Sequence, residues 1–419
     1  MPNAERKATD PRDPRLAVRV ALALLCLTVS ASAWLASVHV WFEPAAANFH
    51  QDTAIAPRAY ELASYQLALW DDNASRQATQ DQMRIANAEW DFMGRTFLVL
   101  ALCNMALHEP HDQKRYLAIV DRIITETLAV ESSQGQLHFL MPYATYGSFQ
   151  NPSGRSIFVD GEIALMLAAR QAVAPNGALA PELKRRIDAL AAQLDAGPIT
   201  CSESYPDECW MFCNSAAIAA IKLSDHVDGR DHRGLIARWL QSIREHLTDP
   251  ATGLLVSSFT YDGRPLDGPE GTSIYFTAHM LQLIDPVFAQ AQYDAARDEL
   301  GDCFLGFGYA HEWPASWRGP ADIDSGPIVP ILDISTGASG MAILGAAAFD
   351  DDPTLTALLA MLEFAAFPVR EDATRRYAAS NQVGDAVLLY ALVQGPLWQR
   401  VLDAPTTSER NHAMGVGHD

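Results

Sequence analysis

The sequence predicts an all-α protein, built as an (α/α)6 barrel with short β-hairpins in its loops. Apolar residues recur at helical spacing over most of the chain. The helical segments are separated by short turns that contain Gly, Pro, Asp or Asn. No repeated sequence motif accompanies them, which favours a closed barrel over an open solenoid of helical repeats.

The N-terminal segment, residues 1–43, predicts export of the rest of the chain. A basic, polar stretch precedes the apolar run Val20–Trp41, which has no Asp, Glu, Lys or Arg. Basic residues before such a run keep the N-terminus in the cytoplasm, so the body of the protein is expected in the periplasm. Two interpretations stay open. Val20–Val29 followed by Ala31-Ser32-Ala33 has the form of a cleaved signal peptide, whereas residues 20–41 are long enough to anchor the chain in the inner membrane.

After a linker at residues 44–56, the barrel domain is predicted at 57–400 and a flexible tail at 401–419. The predicted helices are Pro57–Trp70, Glu89–His108, Gln113–Leu128, Ser156–Ala174, Ala180–Leu194, Cys209–His226, Gly234–Leu247, Ser273–Ile284, Pro286–Leu300, Thr336–Ala348, Pro353–Ala365 and Val383–Val393. A weakly alternating extended piece is predicted at Gln136–Met141, and short hairpins are predicted at Gly253–Tyr261 followed by Asp262-Gly263 and at Val369–Ser380. Twelve helices pair into six hairpins, so the loops before the inner helices are expected to converge at one mouth.

Charge and cysteine spacing exclude some partners. The formal net charge is −21, which disfavours nucleic acid and anionic lipid as partners but says little about the chemistry. The expected partner is a small-molecule substrate. No C-x-x-C and no nearby His at ligand spacing occur, so no metal site is predicted. A homo-oligomer is compatible with the sequence.

The stretch Cys201–Asn214 is the first candidate for the active site. It holds three of the six cysteines, together with Asp207, Glu208 and Trp210. Cys209 and Cys213 are four residues apart, hence on one helix face, and a helix N-terminus stabilises a thiolate. A disulfide and functional thiols both remain open.

Glu162 is the second candidate, because it interrupts an apolar helix face one turn after Phe158. Burial there would raise the pKa of its carboxyl into the range of a general acid or base. Asp91 and Arg95 are most simply a helix-surface ion pair. Other polar or aromatic residues at helix starts, candidates for substrate binding, are Trp90, Glu270 and Asp324. His279 shares a helix face with Tyr275, where a satisfied core histidine is the more ordinary interpretation.

Several short stretches resemble the linalool dehydratase/isomerase family. They are Pro206-Asp207, Cys213-Asn214-Ser215, Leu247-Thr248-Asp249-Pro250, Ser273-Ile274-Tyr275-Phe276-Thr277-Ala278-His279 and Asp285-Pro286-Val287-Phe288. The resemblance implies an (α/α)6 barrel and an exported catalytic domain. It further implies interconversion of a primary and a tertiary monoterpenol and dehydration of the tertiary alcohol, without cofactor or metal.

The resemblance also implies roles for residues. The family's second active-site cysteine falls on Cys213, its tyrosine on Tyr275 and a nearby aromatic residue on His279. Its first cysteine falls on Ser204 unless the loop is rearranged to bring Cys201 there. Its catalytic histidine falls on Glu162, so the acid/base group has changed from imidazole to carboxylate, and the resemblance does not imply linalool itself as the substrate.

Three functions therefore compete. The first is a cofactor-independent dehydratase/isomerase for a small apolar alcohol, a terpenoid or alkenol, with Glu162, Cys213, Tyr275, Asp207 and Cys209 as catalytic residues. The second is a carbohydrate-active hydrolase, lyase or epimerase. Its carboxylate pair would come from Asp91, Asp160, Glu162, Asp207, Glu208, Glu270 and Asp324. The third is an exported binding or scaffold domain.

Overall fold

The computed structural model describes residues 14–43, 45–319 and 325–403. The protein is mostly helical, which confirms the predicted class. In chain order the helices are α1 Pro14–Ser37, α2 Pro57–Asp71, α3 Asn73–Ala86, α4 Ala88–His108, α5 Gln113–Gln134, α6 Ile157–Val173, α7 Ala180–Ala196, α8 Met211–Asp228, α9 Arg233–His246, α10 Gly271–Leu281, α11 Pro286–Leu300, α12 Thr336–Ala348, α13 Asp352–Ala365, α14 Gln382–Val393 and α15 Pro396–Leu402. The strands are β1 Cys209–Trp210, β2 Ser258–Phe259, β3 Gly301–Phe304, β4 Phe307–Ala310, β5 Ile328–Val329, β6 Ile334–Ser335, β7 Pro368–Glu371 and β8 Thr374–Tyr377.

Six helices form a closed inner ring. Helices α4, α6, α8, α10, α12 and α14 each contact the next, and α14 contacts α4 again. Helices α5, α7, α11 and α13 pack outside this ring, with α2 against α14 and α15 against α4. Residues near the starts of neighbouring inner helices lie together: Gly94 beside Val383, Gly161 beside Ala217 and Gly271 beside Ala338. The inner helices are therefore parallel, and we call the end at which they begin the mouth.

Burial separates the two rings. Every residue of α6 is buried, as expected for a helix enclosed by neighbours, whereas α9 buries one stripe and exposes the rest. Gly161 allows α6 to approach α8 closely, since a Cβ at this position would lie 3.1 Å from the Cβ of Ala217. The helices that carry Glu162 and Cys213 are thereby held against each other.

All twelve predicted helices are present, with some ends displaced. Helix α5, for example, continues to Gln134 instead of ending at Leu128. Helix α3 was not predicted because it is mostly polar; it begins where the Asp72 side chain accepts a hydrogen bond from the backbone N–H of Ala74. The short α15 was also not predicted.

The strand predictions are only partly right. Strands β7 and β8 form the hairpin predicted within Val369–Ser380. Gln136–Phe139 is a 3-10 turn, so the predicted extended piece there is wrong. The hairpin predicted from Gly253–Tyr261 and Asp262-Gly263 is also present, since Phe259 pairs with Pro265 across a tight turn between Thr260 and Arg264. In addition, β2 pairs with β1 from the distant stretch Cys201–Asn214. The sheet β3-β4-β6-β5 was not predicted.

Helix α1 is long and apolar enough to cross a membrane, and none of its residues is buried against the body. A signal sequence passes the same test of length and composition. An N-terminal apolar segment compatible with export is therefore present, and the choice between signal peptide and anchor stays open.

Candidate active site

Glu162 lies on the second turn of α6, near the mouth, and is almost fully buried. Its Oε2 accepts a hydrogen bond of 2.6 Å from the Thr96 hydroxyl on α4. Burial raises the pKa of the Glu162 carboxyl to about 8; the Thr96 hydrogen bond opposes this rise and the negative charge of Glu89 adds to it. Glu162 is therefore mainly a neutral carboxylic acid at pH 7, able to donate a proton.

Cys213, on the first turn of α8, belongs to the same cluster. Burial raises the pKa of its thiol well above the ordinary value, a hydrogen bond with Ser204 opposes the rise, and the charges of Glu162 and Glu89 reinforce it. The expectation of a thiolate at this helix N-terminus is therefore wrong. Desolvation and negative neighbours outweigh the helix dipole, so the thiol keeps its proton.

Ser204 and Cys213, the two positions on which the resemblance places active-site cysteines, lie next to each other in space. Besides its contact with Cys213, its hydroxyl accepts a hydrogen bond of 3.2 Å from the backbone N–H of Trp210. The carbonyl of Ser204 accepts one of 2.7 Å from the Ser156 hydroxyl, just before α6. A hydroxyl thus stands beside the Cys213 thiol, where the resemblance places another thiol.

Two tyrosines and two further carboxylates extend the cluster. Tyr205 donates a hydrogen bond to Glu89, and its oxygen accepts one of 2.9 Å from the backbone N–H of Met141. Tyr143 stacks on Tyr205, with ring centroids 4.5 Å apart, and donates to Glu208. Burial, followed by the charge of Glu89, raises the pKa of Tyr205, so its phenol stays neutral.

The indole Nε1 of Trp210 also donates to Glu208. Glu208 contributes to the raised pKa of Cys213. Glu89, Glu162 and Glu208 therefore all act electrostatically on the one thiol. The structure brings the predicted residues Glu162, Cys213 and Trp210 into one neighbourhood.

Glu203 was not predicted, yet it organises the loops of this region. Its buried carboxylate accepts hydrogen bonds from the backbone N–H groups of Gln150, Asn151 and Asp207 and from the Asn151 side chain. Asp207 itself is exposed, has a left-handed backbone with φ of 56°, and accepts a hydrogen bond from the backbone N–H of Tyr261. Asp207 therefore lies at the rim as a loop contact.

Cys209 is buried in β1, opposite Phe259, and burial raises the pKa of its thiol. All six thiols of the chain are free in the structure. Cys201 and Cys213 both lie close enough to Cys209 to add to the rise in the pKa of its thiol. Only Cys213 among them hydrogen-bonds to a side chain of the cluster, namely Ser204.

Tyr275 and His279 are placed elsewhere. The Tyr275 hydroxyl donates a hydrogen bond of 3.1 Å to the carbonyl of Ala296 on the outer helix α11. His279 lies near the end of α10 farthest from the mouth, where Nε2 is 2.6 Å from the Tyr390 hydroxyl and the ring stacks on Trp398. Burial lowers the pKa of His279 to about 4. The ordinary interpretation of a satisfied core histidine therefore fits His279, and neither residue contacts Glu162.

The remaining candidates occupy varied positions. Phe158 packs edge-on against Phe92, with centroids 5.2 Å apart, and Trp90 is half-buried against the core. Glu270 is buried just before α10, and its Oε2 accepts a hydrogen bond of 3.4 Å from the Ser273 hydroxyl. Asp324 lies outside the described residues.

Two predicted carboxylates are structural. Asp91 and Arg95 form a two-pronged ion pair that is buried, not on the helix surface as predicted. Asp160 pairs with Arg155 and Arg186 between α6 and α7. In the structure both carboxylates are therefore engaged by arginine side chains.

The comparisons bear on this geometry. A family model described as linalool dehydratase/isomerase matches residues 185–383. This segment resembles the linalool dehydratase/isomerase family, as the sequence motifs predicted. It includes Ser204 and Cys213 but begins after Glu162, whose assignment rests on the geometry of the mouth. The match supports an enzyme of the lyase or isomerase class.

Among solved structures, a GH76 alpha-mannanase of Bacteroides thetaiotaomicron is similar to this chain, with 10% identity and a TM-score of 0.41. The likeness covers 74% of this chain and 87% of the mannanase. A likeness of this size carries no argument about substrate.

Asn214 follows Cys213 in the Cys-Asn-Ser motif of the linalool dehydratase/isomerase resemblance. We expect its side chain to contribute to the stability of the fold. Its side chain accepts a hydrogen bond from the Ser202 backbone N–H and donates to the carbonyls of Ser202 and Trp210. Asn214→Ala leaves these buried groups unpaired, so we expect a loss of about 1–3 kcal/mol of unfolding free energy in urea denaturation. Asn176→Ala, in a surface turn, is the control; equal losses would contradict the anchoring role of Asn214.

Proposed function

We propose that this protein catalyses the dehydration or isomerisation of a small, mostly apolar alcohol, a terpenoid or alkenol, by acid/base chemistry without a cofactor. The observation that carries the proposal is the neutral, buried Glu162 carboxyl held by Thr96 near the protonated Cys213 thiol. The resemblance of residues 185–383 to linalool dehydratase/isomerase supports the same reaction class.

Glu162 begins the reaction as the acid. It transfers its proton to the substrate hydroxyl, the C–O bond breaks, and water leaves with the bonding electrons. The allylic cation that remains lies near the carboxylates of Glu89 and Glu208 and the ring of Trp210, which stabilise positive charge.

The cation then has two outcomes. In dehydration, a base removes a proton from the carbon next to the cation, an alkene forms, and the proton returns to Glu162. In isomerisation, the released water attacks the other end of the allyl group and gives its proton back to Glu162. Cys213 serves either as a proton carrier or as a nucleophile. In the second case its sulfur attacks the allylic cation, the S–H proton passes to the Glu162 carboxylate, and the C–S bond of the thioether breaks again when the product forms and the thiol recovers its proton.

The Cys213→Ala variant tests this role. We incubate the full chain with linalool, geraniol and small alkenols and follow alkenes and isomeric alcohols by gas chromatography. We expect kcat to fall at least about 10²-fold, the lower bound for a group that takes part in proton transfer. Cys103→Ala, a thiol buried on α4, is the control and keeps kcat. Unchanged turnover in Cys213→Ala would remove the thiol from the mechanism, and no turnover of any alcohol by the unaltered chain would reject the proposal.

The carbohydrate-active alternative keeps one supporting observation. Three acidic residues, Glu89, Glu162 and Glu208, all act electrostatically on the Cys213 thiol, and glycosidases use a pair of carboxyl groups. Release of reducing ends from oligosaccharides, with no product from any alcohol, would favour this alternative over the dehydratase.

A further inference from the structure

The segment immediately after α1 is docked on the body of the protein. Residues Val38–Trp41 form a 3-10 turn, and the next residue, Phe42, packs against Phe364 and Phe307 with ring centroids 5.1 and 6.3 Å apart. The His39 ring contacts Phe307 and lies against Gly306 at the tip of the β3–β4 hairpin. The C-terminal end of α1 is therefore held beside α13 and this hairpin.

Bulky apolar side chains are exposed around this end of α1. Trp41 is 80% exposed, Phe367 65%, Phe304 51% and Phe364 46%. Val40 and Leu305 are also exposed. We call Val40, Trp41, Phe304, Leu305, Phe364 and Phe367 the flank patch. Such a concentration of exposed aromatic rings is unusual for a surface that faces only water.

The backbone adds an independent observation. Leu305 and Phe367 have left-handed φ angles of 52° and 53°. Gly or Asn are the ordinary residues for such turns, and a bulky apolar side chain is unfavourable there. Burial within the protein does not explain why these residues are apolar, because Leu305 is 38% exposed and Phe367 is 65% exposed.

We propose that the flank patch enters the interface of a lipid bilayer. Helix α1 has the length and composition to span that bilayer, and the patch begins at Val40, three residues after α1 ends. Any surface held so close to the end of a membrane-spanning helix lies at the headgroup level, where Trp and Phe are favoured. The flank patch and α1 together fix the body against the membrane on its α13 side, instead of leaving it tethered at a distance.

Cys303 offers a direct test, because Cys26 and Cys303 are the exposed thiols of the chain. In the full chain with Cys26→Ser, Cys303 is labelled with the fluorophore NBD and the protein is placed in phosphatidylcholine vesicles. We expect blue-shifted emission and at least about two-fold quenching by lipids that carry a nitroxide near the headgroup. Because apolar insertion drives the contact, 0.5 M salt should leave the quenching unchanged.

The matched control carries the label on the opposite flank. Lys184 is exposed on α7, which packs on α6 and α8, whereas α13 packs on α12 across the ring. Lys184→Cys with Cys303→Ser and Cys26→Ser should show little quenching. Phe304→Ser with Phe367→Ser should lower the quenching at Cys303 to that level. Equal quenching at both sites, or a blue shift that depends on protein density and not on lipid quencher, would overturn the proposal, the latter indicating a contact between two copies.

Discussion

The Glu162→Gln variant is expected to lower kcat on the productive alcohol about 10²- to 10⁴-fold, the range for a group that transfers a proton in the rate-limiting step. Gln has the same shape and still accepts the Thr96 hydrogen bond, so the fold is expected to survive. An amide has no proton to give at neutral pH, so the initial protonation of the hydroxyl is lost. The measurement is kcat by gas chromatography, with circular dichroism to check that the helices persist.

Asp385→Asn is the matched control. Asp385 is another buried carboxyl, and burial raises its pKa to about 7. It lies on the first turn of α14, so it is also at the mouth, but it sits by the β7–β8 hairpin, and the groups that act on its pKa are Ser380, the backbone N–H of Tyr377 and Arg376, none of which belongs to the Glu162 and Cys213 cluster. Asp385→Asn should keep kcat within about two-fold, since it leaves the mouth cluster intact. If both variants lose activity alike, a general effect of buried carboxyls explains the loss and Glu162 has no special role.

The ring architecture follows from helical periodicity more securely than the loops do. Helices such as α6 are apolar over most of their length, so both their position and their place in the inner ring are evident from the residues. Strands of two residues, such as β1 and β2, are defined by pairing between segments about 50 residues apart. No local sequence pattern predicts such pairing, and the β1–β2 contact was therefore missed.

The same distinction holds at the mouth. Glu162 was predictable because burying a carboxylate on an apolar helix face costs free energy unless the group is paired or protonated. Its partner Thr96 was not, since a hydroxyl in an apolar helix is ordinary and the two residues are 66 positions apart. Tyr275 was placed by resemblance, but the rotation of α10 directs its hydroxyl to α11, a feature that depends on packing and not on the order of residues.

The pH dependence of stability gives the other large expected effect. The folded-state pKa of Glu162, about 8, lies above that of a carboxyl in an unfolded chain, about 4.3. Between these values the folded protein holds a proton that the unfolded chain has released, so the free energy of unfolding falls as pH rises from about 4.5 to about 8. Over this whole pH range, Glu162 lowers the free energy of unfolding by on the order of 4–5 kcal/mol. Asp385, with a pKa of about 7, acts in the same direction.

Urea denaturation at pH 5, 6, 7, 8 and 9 separates the two groups. The unaltered protein should lose stability across this range, and Glu162→Gln should lose less, with the difference concentrated between pH 5 and 8. Asp385→Asn should flatten the curve only up to about pH 7. Parallel curves for the unaltered protein and Glu162→Gln would mean that the carboxyl at position 162 is not protonated in the folded state.

The same proton links stability to catalysis. If Glu162 gives its proton to the substrate hydroxyl, kcat should be highest where the carboxyl is neutral and should fall about ten-fold per pH unit well above its pKa of about 8. The midpoint of this fall and the upper end of the stability change report one ionisation, so both should shift together when Thr96 is replaced by Val. That replacement removes the hydrogen bond that favours the carboxylate, and both midpoints should move to higher pH. A shift in only one of them would show that the group that limits kcat is not the group that destabilises the folded state.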